Sequence, residues 1–319
     1  MKAIVTGGAG FLGSHLVDKL IKRGDEVLVI DNLLTGNLKN LDHLNNNPNF
    51  KFLNQDVSLS FQTDFQADEI YHLASPASPN LNNPISYQAL PFNTMMVNSM
   101  GTWQMAEMAI RMEAKFLFAS TSEIYGDPLE HPQKEEYKGN TSPTGPRSVY
   151  DEAKRFGETI TSAFVRSKGL DGRIVRIFNT YGPRMAQDGR VVIEFIQAAL
   201  KNKPIPIFGD GRQTRSFMFV SDLIEGIILA MEKGEKGEVF NLGNPNEFTI
   251  LELAEKVKVL TNSSSEVKLI KPLPQDDPIR RCPDICRAKE KLGWEPKIQL
   301  EEGLKKLIGY LRINPSQFQ

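Results

Sequence analysis

The chain is short of several things, and each shortage closes a class of function. It has two cysteines, Cys282 and Cys286, in 319 residues. A CxxxC pair in a chain of this size is no disulfide framework and points to a reducing, cytoplasmic setting. It has no surplus of charge: 38 Lys and Arg stand against 39 Asp and Glu, a formal net charge of −1. Without a basic field, neither a nucleic acid nor a membrane surface is expected as a partner. Long apolar runs are missing too. The best one, Leu223 to Met231, falls far short of the roughly 18 residues of a span, and Glu225 interrupts it. Met1 to Thr6 runs directly into a strand-like segment, so no signal peptide is expected. The four histidines (His15, His43, His72, His131) keep no ligand spacing, so no metal site is expected.

What is present is an ordinary globular composition, 40% apolar and 24% charged, in a length that suggests about two domains. Short apolar segments at Lys2–Thr6, Glu26–Asp31, Phe50–Val57, Glu69–Ala74, Lys115–Ser120 and Arg173–Phe178 alternate with helical stretches such as Phe11–Arg23, Gly101–Arg111 and Asp151–Lys168. That alternation predicts an α/β fold with a doubly wound parallel sheet (Rossmann). After Asn179 prolines become frequent and the elements shorten, which predicts a smaller α/β C-terminal substrate domain. Residues 1–178 are read as the dinucleotide-binding domain, with a return contribution from about 215–243 that includes a strand at Glu238–Leu242. Residues 179–319 are read as mainly substrate domain, with helices at Thr249–Thr261, N-capped by Thr249, and Leu300–Leu311.

Thr6-Gly7-Gly8-Ala9-Gly10-Phe11-Leu12-Gly13 sits between the first strand and the first helix. A GxxGxxG in that setting permits a tight turn, close backbone approach to a pyrophosphate and close helix packing, and the helix N-terminus offers free N–H groups. Asp31 ends the second strand about 20 residues on, where a carboxylate takes a ribose diol and repels a 2′-phosphate, favouring NAD over NADP. Asp56-Val57 follows the third strand, either near the adenine or as a plain turn. Leu73-Ala74-Ser75 closes the fourth strand.

Tyr150 and Lys154 form a YxxxK pair on one helix face. Alone, that is most often a surface pair; here an ammonium beside the phenol would lower its pKa and make a general base. Thr121-Ser122-Glu123 follows the fifth strand, at the sheet edge where open α/β proteins place ligands. A hydroxyl there can share a substrate hydroxyl with Tyr150, Glu123 can act as acid or base, and Ser122 taken alone reads more readily as an N-cap.

These motifs, with the segments 72–79, 120–128, 131–133 (His-Pro-Gln), 145–155, 176–185, 188–192, 208–217 and 275–278 plus Arg281, resemble the extended short-chain dehydrogenase/reductase family of nucleotide-sugar enzymes, of the NAD-dependent epimerase/dehydratase type, over nearly the whole chain. The His-Pro-Gln, Gly-Pro-Arg and Thr-Ser-Glu segments are most similar to the members that decarboxylate a UDP-sugar acid. The resemblance implies NAD as cofactor and conversion of UDP-glucuronate to UDP-xylose. In that scheme C4 is oxidised, carbon dioxide leaves the 4-keto acid and C4 is reduced again. It implies catalytic roles for Thr121, Ser122, Glu123, Tyr150, Lys154 and Arg281. Cofactor contacts are expected from Gly7, Gly10, Phe11, Leu12, Gly13, Asp31, Asn32, Thr35, Gly36, Asp56, Val57, Leu73, Ser75, Tyr150 and Lys154. Substrate contacts are expected from Ser78, Glu123, Asn179, Arg190, Gln213, Arg215 and Arg281, with the arginines pairing with diphosphate or carboxylate. The segment Asn82–Met100 is longer than in better-known members and carries Met96 where many have a lysine, so substrate acceptance is expected to differ there. Members pair two helices per subunit into a dimer; the matching helices here, Asn98–Arg111 and Asp151–Ser167, predict a homodimer.

Three rivals stand beside this reading. A 4,6-dehydratase usually carries Thr-Asp-Glu, which Ser122 opposes. A 4-epimerase usually lacks the triplet's Glu, which Glu123 opposes. A non-catalytic NAD-binding regulator usually loses the Tyr or Lys of YxxxK, and both are present.

Overall fold

The computed structural model describes residues 1–80, 82–272 and 277–314. Gln275 and Asp276, quoted above in a family segment, lie outside the described residues.

Six strands, β1 (Lys2–Thr6), β2 (Glu26–Asp31), β3 (Phe50–Asn54), β4 (Glu69–His72), β5 (Lys115–Thr121) and β6 (Gly172–Ile177), join a seventh, Val239–Leu242, in one parallel sheet. Its order is Val239–Leu242, β6, β5, β4, β1, β2, β3. The chain therefore reverses direction beside β1, between β4 and β2, and opens a crevice at the strands' C-terminal edge. Side chains alternate between two apolar layers, as a sheet covered on both faces requires. Ala3, Val5, Val27, Val29, Leu117 and Val175 belong to one core. Ile4, Leu28, Ile30, Phe116, Phe118 and Ile174 belong to the other.

The helices cover those faces. α1 (Phe11–Arg23) ends at Gly24, whose φ of 93° is the left-handed conformation glycine tolerates best. α2 (Pro91–Met96) passes through a five-residue π-helical segment, Val97–Gly101, into α3 (Thr102–Met112). Helix thus occupies part of the long segment 82–100, and proline at the first position opens it. α4 (Ser148–Lys168) crosses the β5 side of the sheet.

In the C-terminal part, α5 (Val191–Leu200), α6 (Val220–Lys233), α7 (Ile250–Thr261) and α8 (Leu300–Ile313) surround short strands. α6 lies against the main sheet, with Leu223, Ile227, Ala230 and Met231 fully buried. The others share the same apolar core, which runs unbroken from β1 to α8. Thr249 caps α7 with Glu252 in a reciprocal capping box. Thr214–Ser216 pairs with Glu247–Thr249 on one side and with Arg280–Arg281 on the other, and the second register sets Arg281 opposite Arg215. Strand ends differ slightly from the sequence reading: β3 stops at Asn54 and β4 at His72 because the chain then leaves the sheet to form the crevice wall. Among the described residues no helix is long and apolar enough to cross a membrane.

Candidate active site

A cavity of about 1330 Å³ runs along the crevice from the Gly7–Gly13 turn to the ends of β5 and Arg280–Arg281. Its first end is built from backbone. Gly7 has φ 72°, and a β-carbon on it would lie 2.8 Å from the backbone of Ala74. A β-carbon on Gly13 would sit 2.1 Å from the Gly7 carbonyl oxygen. Only glycine lets the turn, β4 and α1 approach this closely. α1 starts with no side-chain cap and no acidic residue in its first turn, so its N–H groups face the cavity unopposed.

The Asp31 carboxylate is fixed beside that turn. It accepts from the Ala9 N–H at 3.0 Å and the Leu33 N–H at 2.8 Å. Burial pushes its carboxyl up, against the pull of those two backbone bonds. A β-carbon on Gly36 would stand 2.9 Å from both carboxylate oxygens, so glycine leaves them accessible. Asn32 donates to Asp56 at 3.1 Å, and Asp56 also accepts from the Ser58 N–H at 2.8 Å. Phe11, Leu12, Thr35, Val57, Leu73 and Ser75 complete this wall. Ser75 accepts from Asn98 at 2.9 Å, and Asn98 lies in the π-helical segment. Glycine cradle, open helix N-terminus and ribose-facing carboxylate fit a dinucleotide.

The second end is built from charged side chains. α4 turns Tyr150, Lys154 and Gly157 toward the sheet. A β-carbon on Gly157 would meet the Phe118 ring at 2.3 Å, so glycine lets the helix lie flat on β5. The Lys154 ammonium donates to the Ala119 carbonyl at 2.7 Å and lies 5.9 Å from the Tyr150 ring centre. Burial lowers its pKa to about 7, against the pull of Glu158. Tyr150 behaves differently from the sequence expectation. Burial first, then the charge of Glu123, push its phenol up, while a hydrogen bond from Thr121 works the other way. The ammonium beside it does not lower the pKa overall, because it is spent on the Ala119 carbonyl and burial outweighs it.

Thr121 accepts from the Glu123 N–H at 3.2 Å and so starts the short turn Ser122–Tyr125. The Glu123 carboxylate accepts from both Arg281 and Arg147. Burial would raise its pKa, but the two guanidiniums overcome this and bring it to about 2. Arg147 also reaches Asp277 at 3.5 Å, and Asp277 accepts from Arg215 at 2.8 Å. The result is a chain of alternating charge: Arg281, Glu123, Arg147, Asp277, Arg215. Arg281 is 3% exposed, yet its Nε and Nη2 have no partner among the described residues.

Arg281 is held in place by Gln133 of the His-Pro-Gln segment. The Gln133 side-chain oxygen accepts from the Cys282 N–H at 2.9 Å, and the Gln133 backbone N–H donates to the Cys282 carbonyl at 2.9 Å. Gln213 donates to the Phe208 carbonyl at 2.8 Å, Ser78 donates to the Asp188 carbonyl at 2.8 Å, and Asn179 lines the cavity between them. Arg190 is set apart from the other two arginines. Asp188 pairs with it at 2.8 Å, and its guanidinium lies 5.7 Å from the Phe11 ring, at the glycine end.

Four residues of this end went unassigned in the sequence. Arg147 stands three places before Tyr150 and Asp277 stands in a quoted segment, so both were within reach. Asp151, whose carboxyl burial and Glu123 push up to about 8, follows Tyr150 directly. Tyr87, stacked on Tyr150 at 4.8 Å between ring centres, left no signal.

A model of the NAD dependent epimerase/dehydratase family matches residues 3–243. The chain is similar to UDP-glucuronic acid decarboxylase 1 of Arabidopsis thaliana, 53% identical over 313 residues, covering 98% of this chain and 70% of the relative. It is 47% identical to UDP-glucuronic acid decarboxylase 1 of Xenopus tropicalis over 312 residues, 98% of this chain and 72% of that one. Among solved structures it is similar to a UDP-glucose 4-epimerase from Thermotoga maritima, with a TM-score of 0.86 at 34% identity, covering 99% of this chain and 100% of the other. It is also similar to a dTDP-glucose 4,6-dehydratase from Streptomyces venezuelae solved with NAD bound, with a TM-score of 0.86 at 27% identity, covering 99% of this chain and 98% of the other.

Proposed function

The chain belongs to the NAD dependent epimerase/dehydratase family, and from that premise we propose that it is an enzyme that uses NAD to decarboxylate UDP-glucuronate to UDP-xylose. The observation that carries the reading is Arg281. It bridges to Glu123, and its Nε and Nη2, buried and unpaired among the described residues, call for an anion such as a sugar carboxylate. Relatives about half identical over nearly the whole chain bear the name of that reaction.

When bound, NAD supplies a reversible hydride acceptor at C4 of the sugar. Tyr150 acts as a phenolate, which the positive charge of bound NAD+ would favour against the burial that raises its pKa; it takes the C4 hydroxyl proton, with Thr121 sharing the hydrogen bond, and returns it at the end. Lys154 holds the phenol's surroundings and the Ala119 backbone in register. With C4 a ketone, the C5 carboxylate is β to it, and carbon dioxide leaves with its electron pair entering the enolate. Arg281, kept in place by Glu123 and Gln133, orients the carboxylate; C5 takes up one proton from solvent in place of carbon dioxide, and the ionised Glu123 with Ser122 positions the water that delivers it. Arg215, Gln213, Asn179 and Ser78 are read as contacts to the UDP part, and residues 179–319 as mainly the substrate domain. The wild-type protein incubated with NAD+ and UDP-glucuronate should yield UDP-xylose by proton NMR. UDP-galacturonate with its carboxylate intact would overturn the reading in favour of an epimerase.

We also read the chain as a homodimer in the cytoplasm. Met100 and Trp103 in the stretch 98–111 and Phe156 on α4 are exposed apolar residues on the two helices expected to pair, with exposed Phe92 and Met96 just before them, and both cysteines are free. Light scattering should give twice the chain mass, and Phe156→Lys should reduce it to one.

A further inference from the structure

Of the cavity's aromatic residues that the reaction leaves without work, Tyr87 is the one stacked on Tyr150. Tyr87 is 1% exposed and lines the cavity, and its ring lies almost parallel to that of Tyr150, at 12° and 4.8 Å between centres. Its backbone is tied into the wall: its N–H donates to the Ser78 carbonyl at 3.1 Å, and Ser78 in turn donates to Asp188. Among the described residues its hydroxyl makes no hydrogen bond that satisfies both distance and angle, although the Gln88 side chain lies close enough to act on the phenol. Glu123, Arg147 and Asp151 all act on that phenol electrostatically, which sets it at the reacting end of the cavity.

A buried hydroxyl left unpaired is costly, and packing alone explains a phenylalanine here, not a tyrosine. The stack explains the ring: offset aromatic pairs hold each other's plane, and a general base works only when its oxygen is aimed. We propose that Tyr87 is a specificity-determining residue of this site, its ring seating the Tyr150 phenol and its hydroxyl bonding to the sugar of the bound nucleotide sugar. The inference rests on Tyr150 being the base and on a nucleotide sugar filling the cavity.

Calorimetric titration of the NAD+-loaded protein with UDP-glucuronate and with UDP separates the possibilities, because UDP lacks the sugar. In Tyr87→Phe the Kd for UDP-glucuronate should rise about fivefold to tenfold while that for UDP stays put. Equal losses on both ligands, or no loss on either, overturn the hydroxyl contact. In Tyr87→Leu kcat should fall about tenfold or more relative to Tyr87→Phe, with the melting temperature of Tyr87→Phe retained. An unchanged kcat overturns the seating role. Tyr150→Phe measured in parallel keeps the two readings apart. If it still turns over, Tyr150 is not the base; if it is dead while both Tyr87 variants behave as wild type, only the Tyr87 inference falls.

Discussion

The two ends of the cavity are made of different material. At the glycine end, selectivity is cut into the backbone: Gly7, Gly13 and Gly36 leave space where any β-carbon would collide, and the carboxylate beside the turn, Asp31, is held by two backbone N–H bonds. At the reacting end the backbone recedes and five charged side chains balance one another from Arg281 to Arg215. The first design suits a ligand held in a single pose. The second leaves charges that a substrate can rearrange, since each member of the chain has its partner in reach of the cavity. Changes at the first end should therefore act on cofactor affinity, and changes at the second on turnover.

The largest effect is expected from Glu123→Gln. It removes the negative charge between two buried guanidiniums and the group read as serving proton return. kcat/KM should fall about 10²- to 10⁴-fold, the range for a general acid or base, while NAD affinity holds. Steady-state kinetics and a cofactor titration on the same sample measure both; loss of NAD binding would erase the contrast between the ends.

Gly7→Ala tests the other side. A φ of 72° costs an alanine about 1–2 kcal/mol, and the β-carbon would also press on the Ala74 backbone. NAD Kd should rise about tenfold or more, with kcat at saturating cofactor close to wild type. Gln133→Leu should do less. It strips the clamp from Cys282 and so loosens Arg281, leaving a buried N–H unpaired. A threefold to tenfold fall in kcat/KM matches a net hydrogen-bond loss of about 0.5–1.5 kcal/mol, with cofactor affinity unchanged.

The same division governs what could be read before folding. The glycine end is local: strand, turn and helix lie within one short stretch, and Asp31 sits one strand on, so spacing alone exposes it. The parallel sheet was legible because each strand is apolar on both faces. The reacting end is assembled across the chain. Tyr150 and Lys154 share a helix and were visible, but the charge chain joins residues from β5, the start of α4 and the segment around 277–281. Arg147 and Asp277 acquire meaning only when the register of Arg280–Arg281 against Thr214–Ser216 brings those stretches together. Tyr87 and Tyr150 meet because α2 and α4 pack, which no periodicity in segment 82–90 announces. The raised phenol of Tyr150 was missed for a similar reason: the sequence displays its ammonium neighbour but not its burial.

The smallest effect is also the most direct comparison, because the two carboxylates are shifted in opposite directions. Glu123 titrates in the fold near 2, below its ordinary value of 4.5. Its ionised form is thus favoured by folding; that stability is complete above about 4.5 and drains away as pH falls toward 2. Asp31 is raised above its ordinary 3.8. Folding favours its protonated form, and that contribution is present below 3.8 and lost as pH rises through the folded value. Melting curves of the cofactor-free protein between pH 3 and 7 should therefore separate two variants. The advantage of wild type over Glu123→Gln should grow as pH rises from 3 to 5. Over the same interval Asp31→Asn should gain on wild type, since the amide never ionises. Each change should amount to a few degrees, because about 1 kcal/mol moves the melting temperature of a chain this size by roughly 2–4 °C or less. Parallel slopes for the two variants would mean that both carboxylates sit in the same electrostatic environment, and the contrast between a backbone-built end and a charge-built end would be lost.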